Sequence, residues 1–300
     1  MKILITGSNG LLGQKLVQLI IEKGVDELVA TARGKNRLPY PEDKYVFDEL
    51  DITNKDQVKT VISKHQPDAV IHTAAMTNVD QCESEKEACW GLNVNAVNYL
   101  IEACADDNIF LLHLSTDFIF DGQDGPYDEE AAANPISYYG ESKLAAEKLF
   151  ENSSIDYAIA RTVLVYGIAH DMSRNNIILW VKQSLEEGKE IKVVDDQLRS
   201  PTLAEDLAMG CYLIVQQKAS GVFNISGKDV LNPYQMAEKT AAFFNLDTST
   251  MKKADPSTFS QPAKRPPKTG LIIEKARTQL GYEPHSFDEG IAIVAEQIGS

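Results

Sequence analysis

Tyr139 and Lys143 stand four residues apart in the run Ser137-Tyr138-Tyr139-Gly140-Glu141-Ser142-Lys143-Leu144-Ala145-Ala146-Glu147. Good helix formers follow, so the spacing predicts both side chains on one helix face, stacked one turn apart. An ammonium beside a phenol favours phenolate and lowers the phenol pKa. That makes the tyrosine usable as a general acid near neutral pH. Spacing alone does not select it. Tyr40 and Lys44 obey the same rule, yet they flank Pro41, Glu42 and Asp43 in what reads as an acidic loop. What distinguishes Tyr139 is its company: Ser115-Thr116-Asp117 upstream and a glycine signature at the N-terminus.

That signature follows the apolar run Ile3-Leu4-Ile5-Thr6 as Gly7-Ser8-Asn9-Gly10-Leu11-Leu12-Gly13, spaced Gly-x-x-Gly-x-x-Gly and leading into a helix. Gly7 permits a tight turn, Gly10 lets backbone approach a pyrophosphate, and Gly13 allows close helix–sheet contact. The helix start offers unpaired amides to phosphates, so Asn9, Leu11 and Leu12 join the glycines as candidate cofactor-binding residues. A glycine turn between the first strand and the first helix is what a dinucleotide fold requires.

Cofactor choice is read at the end of the second strand, Val29-Ala30-Thr31-Ala32-Arg33, which carries no acid for ribose hydroxyls but an arginine. Asp26 and Glu27 come too early. Arg33 can pair with a 2′-phosphate, which favours NADP and leaves NAD possible. Asp51-Ile52 fits an adenine contact, and Ala74-Ala75 is expected close under the dinucleotide.

The elements that must position these groups alternate. Residues 2–6, 27–32, 45–50, 69–73, 109–115 and 157–164 read as strands. Residues 13–23, 55–66, 85–106 and 139–152 read as helices. Short apolar strands alternating with helices indicate a Rossmann-type doubly wound α/β fold, a parallel sheet covered on both faces. Beyond Tyr166-Gly167 the pattern loosens: helices over 176–187, 203–216, 234–244, 272–280 and 287–298, strands over 190–194 and 221–226, and a proline-bearing loop over 255–268. We expect a dinucleotide-binding Rossmann domain over 1–166. A smaller, mainly substrate-binding α/β region covers 167–300, with 203–228 returning to the Rossmann domain.

The net charge of −15 argues against non-specific nucleic-acid binding. No apolar stretch approaches the ~18–20 residues a membrane span needs. No signal segment is read at the N-terminus, so a cytoplasmic protein is expected. Cys82, Cys89, Cys104 and Cys211 lack metal-ligand spacing and read as free thiols in a reducing compartment. His72 and His113 lie in strand-like apolar runs and read as core. No catalytic metal is expected.

Together, the glycine turn, Ser115-Thr116-Asp117 and Tyr139-x-x-x-Lys143 resemble the extended short-chain dehydrogenase/reductases. Longer stretches narrow the resemblance to the dTDP-4-dehydrorhamnose reductases and their relatives. These are Leu114 to Gly122, Tyr139 to Leu144, Arg161-Thr162, Asp196-Gln197 with Ser200-Pro201-Thr202, and Arg265-Pro266. The resemblance covers nearly the whole chain. It implies reduction of a nucleotide-linked 4-keto-6-deoxy sugar by NAD(P)H. It implies Tyr139 as general acid, Lys143 on the nicotinamide ribose and tuning the tyrosine, and Thr116 as a hydrogen-bond donor to the same oxygen. Asp117, Phe118 and Arg265 are implied as substrate-binding, and a homodimer is possible. Two departures fall on the substrate side. Leu164 stands where the family carries a tryptophan, and Leu198-Arg199 stands where a small residue is common. Two other functions compete: a regulatory subunit resembling the β subunit of methionine adenosyltransferase, and a nucleotide-sugar epimerase or dehydratase. The phenylalanine after Asp117 disfavours a dehydratase, whose site usually pairs two acids there.

Overall fold

Strand residues that are apolar on both faces must be covered on both faces, and this chain does so. The computed structural model describes residues 1–171, 175–254 and 262–299; part of the proline-bearing loop (255–261) lies outside them. Its strands are β1 (Lys2–Thr6), β2 (Glu27–Ala32), β3 (Val46–Glu49), β4 (Ala69–His72), β5 (Phe110–Thr116), β6 (Tyr157–Thr162), β7 (Val165–Tyr166), β8 (Ile191–Val194), β9 (Thr202–Leu203), β10 (Gly221–Asn224) and β11 (Met251–Ala254). Seven of them make one sheet in the order β10-β6-β5-β4-β1-β2-β3, and every pair in it is parallel. The expected Rossmann-type fold is thus the observed one.

In β1, Ile3 and Ile5 face one layer and Leu4 the other, all fully buried. On the first face lie α1 (Leu11–Lys23) and α8 (Ala204–Gln217). On the second lie α2 (Lys55–His65), α5 (Ala96–Asp106) and α6 (Tyr138–Glu151). Strand order reverses at β1, whose neighbours are β2 and β4. Open α/β sheets bind ligands at the carboxyl ends of the strands around such a switch point.

The stretch read as one helix over 85–106 is α4 (Lys86–Trp90), a π-helical turn (Gly91–Asn95) and α5. A short helix, α3 (Val79–Ser84), precedes it. The π turn has a tertiary cause. Asn93 accepts from the Met76 amide at 2.8 Å and donates to the Met76 carbonyl at 3.1 Å and to Ser142 Oγ at 3.1 Å. One extra residue in the helix turns that amide towards α6 and the loop after β4.

The strand expected to reach Leu164 stops at Thr162. Leu164 takes a left-handed φ of 41°, and the chain continues as β7, paired with β9. Beyond it, α7 (Ile177–Glu186), α9 (Pro233–Phe243) and α11 (Phe287–Gly299) enclose two small cores, and β11 pairs in parallel with β8. The helix expected from Ile272 is α10 (Glu274–Leu280), against the first face of the sheet. All four cysteines are buried, and none forms a disulfide. Among the described residues, no helix is long and apolar enough to cross a membrane.

Candidate active site

Gly7 leaves β1 with φ 74°, and Gly10 is the N-cap of α1 without any side-chain cap. The first amides of α1 therefore take no side-chain partner at the cap, which suits an anionic ligand. A Cβ at Gly13 would overlap the Gly7 carbonyl oxygen, so glycine there is what lets α1 fold back onto the turn. Asn9 then fixes the loop after β2. Its side chain donates to the Lys35 carbonyl at 2.9 Å and accepts from the Arg37 amide at 3.0 Å. Gln14 is buried and reaches the segment that follows β7. It donates to the His170 carbonyl at 2.9 Å and accepts from the His170 amide at 2.8 Å.

A cavity of about 700 Å³ runs from this turn to the ends of β5 and β6. Thr116 ends β5 and caps a single 3-10 turn (Asp117–Ile119), its Oγ1 accepting from the Phe118 amide at 3.2 Å. Ser137 caps α6 by accepting from the Gly140 amide. A Cβ at Gly140 would overlap the Phe118 carbonyl oxygen, so glycine lets α6 press against that turn. The close approach brings the Tyr139 hydroxyl within hydrogen-bonding reach of Thr116 and sets its ring edge-on to Phe118 at 5.7 Å. Lys143, one turn along α6, donates to the Leu114 carbonyl at 2.6 Å and lies 3.2 Å from His113 Nε2.

The electrostatics correct one expectation. Tyr139 is raised, not lowered, from its ordinary value of 10, because burial penalises phenolate more than the Thr116 hydrogen bond favours it. Lys143 is anchored on the Leu114 carbonyl and is itself pushed down to about 8 by burial. The phenol therefore keeps its proton at neutral pH, which is the form a general acid needs. His113 and His72 stack at 5.5 Å beneath, both held well below 6.5 by burial and by Lys143, hence neutral.

A family model described as the RmlD substrate binding domain matches residues 1–299. The chain belongs to this family. A dTDP-4-dehydrorhamnose reductase of Aggregatibacter actinomycetemcomitans is 30% identical over 97% of each chain. A methionine adenosyltransferase 2 subunit beta of Danio rerio is 30% identical over 93% of this chain and 84% of its own. The crystal structure of a Bacillus anthracis dTDP-4-dehydrorhamnose reductase in complex with NADP superposes with a TM-score of 0.84, at 26% identity over 99% of both chains.

In this RmlD-family member the cavity gathers Asn9, Gly10, Leu11, Leu12, Ala75, Thr116, Asp117, Phe118, Tyr139, Lys143 and Arg265 from the expected set. It does not gather Gly7, Gly13, Arg33, Asp51, Ile52 or Ala74. Gly7 and Gly13 shape the turn from behind. Arg33 is exposed, and Asp51 accepts from the Thr53 amide and hydroxyl at 2.9 and 2.7 Å. Ile52 is buried among apolar side chains, and Ala74 packs against the same core. Asp117 borders the cavity, but its carboxylate is turned into protein. Arg265 is paired with Asp80 of α3 at 2.8 Å, which holds that carboxylate below its usual range.

Sequence reasoning missed Arg37, Gln14, His113 as the lysine's partner, and Arg199. A glutamine on an otherwise apolar helix face was the available signal for Gln14. Arg199 was visible only as a departure from the family pattern.

Proposed function

We propose that this chain reduces a nucleotide-linked 4-keto-6-deoxy sugar with NADPH, as a dTDP-4-dehydrorhamnose reductase does. One observation carries the reading: Thr116, Tyr139 and Lys143 converge at one end of a cavity whose other end is an uncapped glycine turn. The residues present fit a dinucleotide. Gly10, Leu11 and Leu12 would hold its phosphates, and Lys143 the ribose hydroxyls. The exposed basic loop bearing Arg33, Lys35 and Arg37, tied over the turn by Asn9, favours a 2′-phosphate. NADPH supplies the hydride when bound. Tyr139, neutral through burial, holds the proton for the carbonyl oxygen. Thr116 faces the same point, where negative charge develops. Lys143 places a positive charge one turn along α6, fixed by the Leu114 carbonyl.

The similarity to a methionine adenosyltransferase β subunit supports a second reading, a binding subunit that keeps the dinucleotide site. Turnover separates the two. The test is NADPH consumption by the purified chain with a dTDP-4-keto-6-deoxy sugar generated in situ, beside Tyr139→Phe. Loss of the acid is expected to slow turnover on the order of 10²–10⁴-fold with NADPH binding unchanged. NADPH binding without turnover in the unmodified chain would overturn the reductase reading. Size-exclusion chromatography of the same sample checks the homodimer we attach to this reading.

A further inference from the structure

The carboxylate of Asp117 is 2% exposed and held by three side chains. Its Oδ1 accepts from Thr116 Oγ1 at 3.1 Å. Its Oδ2 accepts from the Thr269 hydroxyl and lies 3.8 Å from Arg199 Nε. Arg199 is 5% exposed. Its Nη1 donates to the Leu198 and Pro267 carbonyls at 2.8 and 3.2 Å. Its Nη2 donates to the Pro266 carbonyl at 2.6 Å and to Gln197 Oε1 at 3.4 Å. With protein acceptors on both terminal nitrogens, this arginine acts on Asp117 and on the backbone around it. Backbone bonds from the Leu198 amide to Pro267 (2.7 Å) and from the Thr269 amide to Leu198 (3.0 Å) complete the junction. The strap so fixed, residues 265–269, carries Arg265 at the cavity wall.

A hydroxyl has one proton. At rest Thr116 directs it to Asp117. Stabilising a developing oxyanion requires that proton to turn away from Asp117. A buried carboxylate left without donor or counter-charge would be costly, and here Thr269 remains as donor and the guanidinium as counter-charge.

We propose that Arg199 and Thr269 are positioning residues: they hold the charge of Asp117 so that Thr116 can turn its proton to the reacting oxygen, and they tie this freedom to the seating of the 265–269 strap. The proposal rests on the reductase reading. Its pH dependence is set by the charged and titratable groups facing Asp117, which are Arg199 and Tyr139, and by Asp196 and Arg265, which act on Arg199. Burial raises Asp117, and Arg199 opposes that rise. Removing the guanidinium lets Asp117 take a proton at higher pH.

The test uses the full chain as wild type, Thr269→Val, Arg199→Lys, Arg199→Met and Asp117→Asn/Arg199→Met. Rates and melting temperatures are measured across about pH 5 to 8, with NADPH binding followed by fluorescence. Thr269→Val is expected to lower kcat by roughly tenfold, the effect of one hydrogen bond to a charged group, with NADPH affinity unchanged. Arg199→Met moves the acid limb of kcat to higher pH, and Arg199→Lys restores part of it. Between the unfolded and folded pKa of Asp117 the native state binds the extra proton, so stability falls as pH rises through that window. Arg199→Met widens the window upward, so its melting-temperature deficit grows with pH. The double variant, with no charge to hold, loses that growth but stays slow. Wild-type kcat in both Thr269→Val and Arg199→Lys would overturn the proposal, as would a pH-independent deficit in Arg199→Met. A wild type that binds NADPH without turning over overturns the reductase reading instead, and the melting series still decides whether Arg199 holds the Asp117 charge.

Discussion

Lys143 Nζ lies 3.2 Å from Nε2 of His113, and both side chains are almost completely buried. A neutral imidazole that accepts through Nε2 carries its proton on Nδ1, and that nitrogen has no hydrogen-bond partner among the described residues. The ring thus spends its one acceptor on the lysine, and the lysine leans on a backbone carbonyl for its second bond.

This pairing gives a pH prediction. With Lys143 pushed down to about 8 by burial, its ammonium is lost as pH rises through that value. Activity that needs the charge is therefore full below about pH 7 and falls above about pH 8. His113→Leu removes an acceptor for the ammonium and moves this alkaline limb to lower pH. His113→Gln, which keeps an acceptor, moves it less. Initial rates across pH, at saturating NADPH, check both.

Arg161 and Glu147 form a two-bonded pair, Nε to Oε1 at 3.1 Å and Nη2 to Oε2 at 2.8 Å, with side chains 9% and 6% exposed. Breaking such a pair strands a buried charge. Arg161→Met is expected to cost about 3–5 kcal/mol of folding stability, whereas Arg161→Met/Glu147→Leu recovers most of it. Urea unfolding of the three proteins measures the difference.

Gly13→Ala places a methyl against the Gly7 carbonyl oxygen and 2.6 Å from Ser8 Cα. The turn must shift to relieve it, at about 1–3 kcal/mol. NADPH affinity should fall by about tenfold or more, a loss of roughly 1.4 kcal/mol in binding. Fluorescence titration of NADPH reads this directly.

Replacing Arg33 and Arg37 together by alanine should weaken NADPH binding and leave NADH nearly unchanged, because only the former carries the 2′-phosphate. A loss on the order of tenfold is expected from removing charge-assisted bonds. Equal losses for the two cofactors would show that the basic loop does not read the phosphate.

Much of the frame was readable because burial on two faces leaves a plain trace: β1, β4, β5 and β6 are near-continuous apolar runs. The paired Tyr139 and Lys143 were equally plain, since helix spacing alone puts them on one face. Three features were not. The π turn exists because Asn93 has partners in two distant segments. β11, Met-Lys-Lys-Ala, has no strand signature of its own and is made by pairing with β8. The direction of the Tyr139 shift depends on how deeply the phenol is buried, which spacing does not reveal. The partner of the Asp117 carboxylate was hidden for a like reason: only the fold supplies Thr269, from 152 positions away.

The four buried thiols sample different depths of the molecule. Cys211 on α8 packs into the core of the first face, Cys104 on α5 into that of the second, and Cys82 and Cys89 pack beside Tyr139. None offers surface to a reagent. Alkylation at each can therefore proceed only as fast as its own surroundings open, which makes the cysteines native clocks for local and global unfolding. Rates at Cys82 and Cys89 that outrun those at Cys104 and Cys211 would report the packing around Tyr139 opening by itself, without melting the sheet.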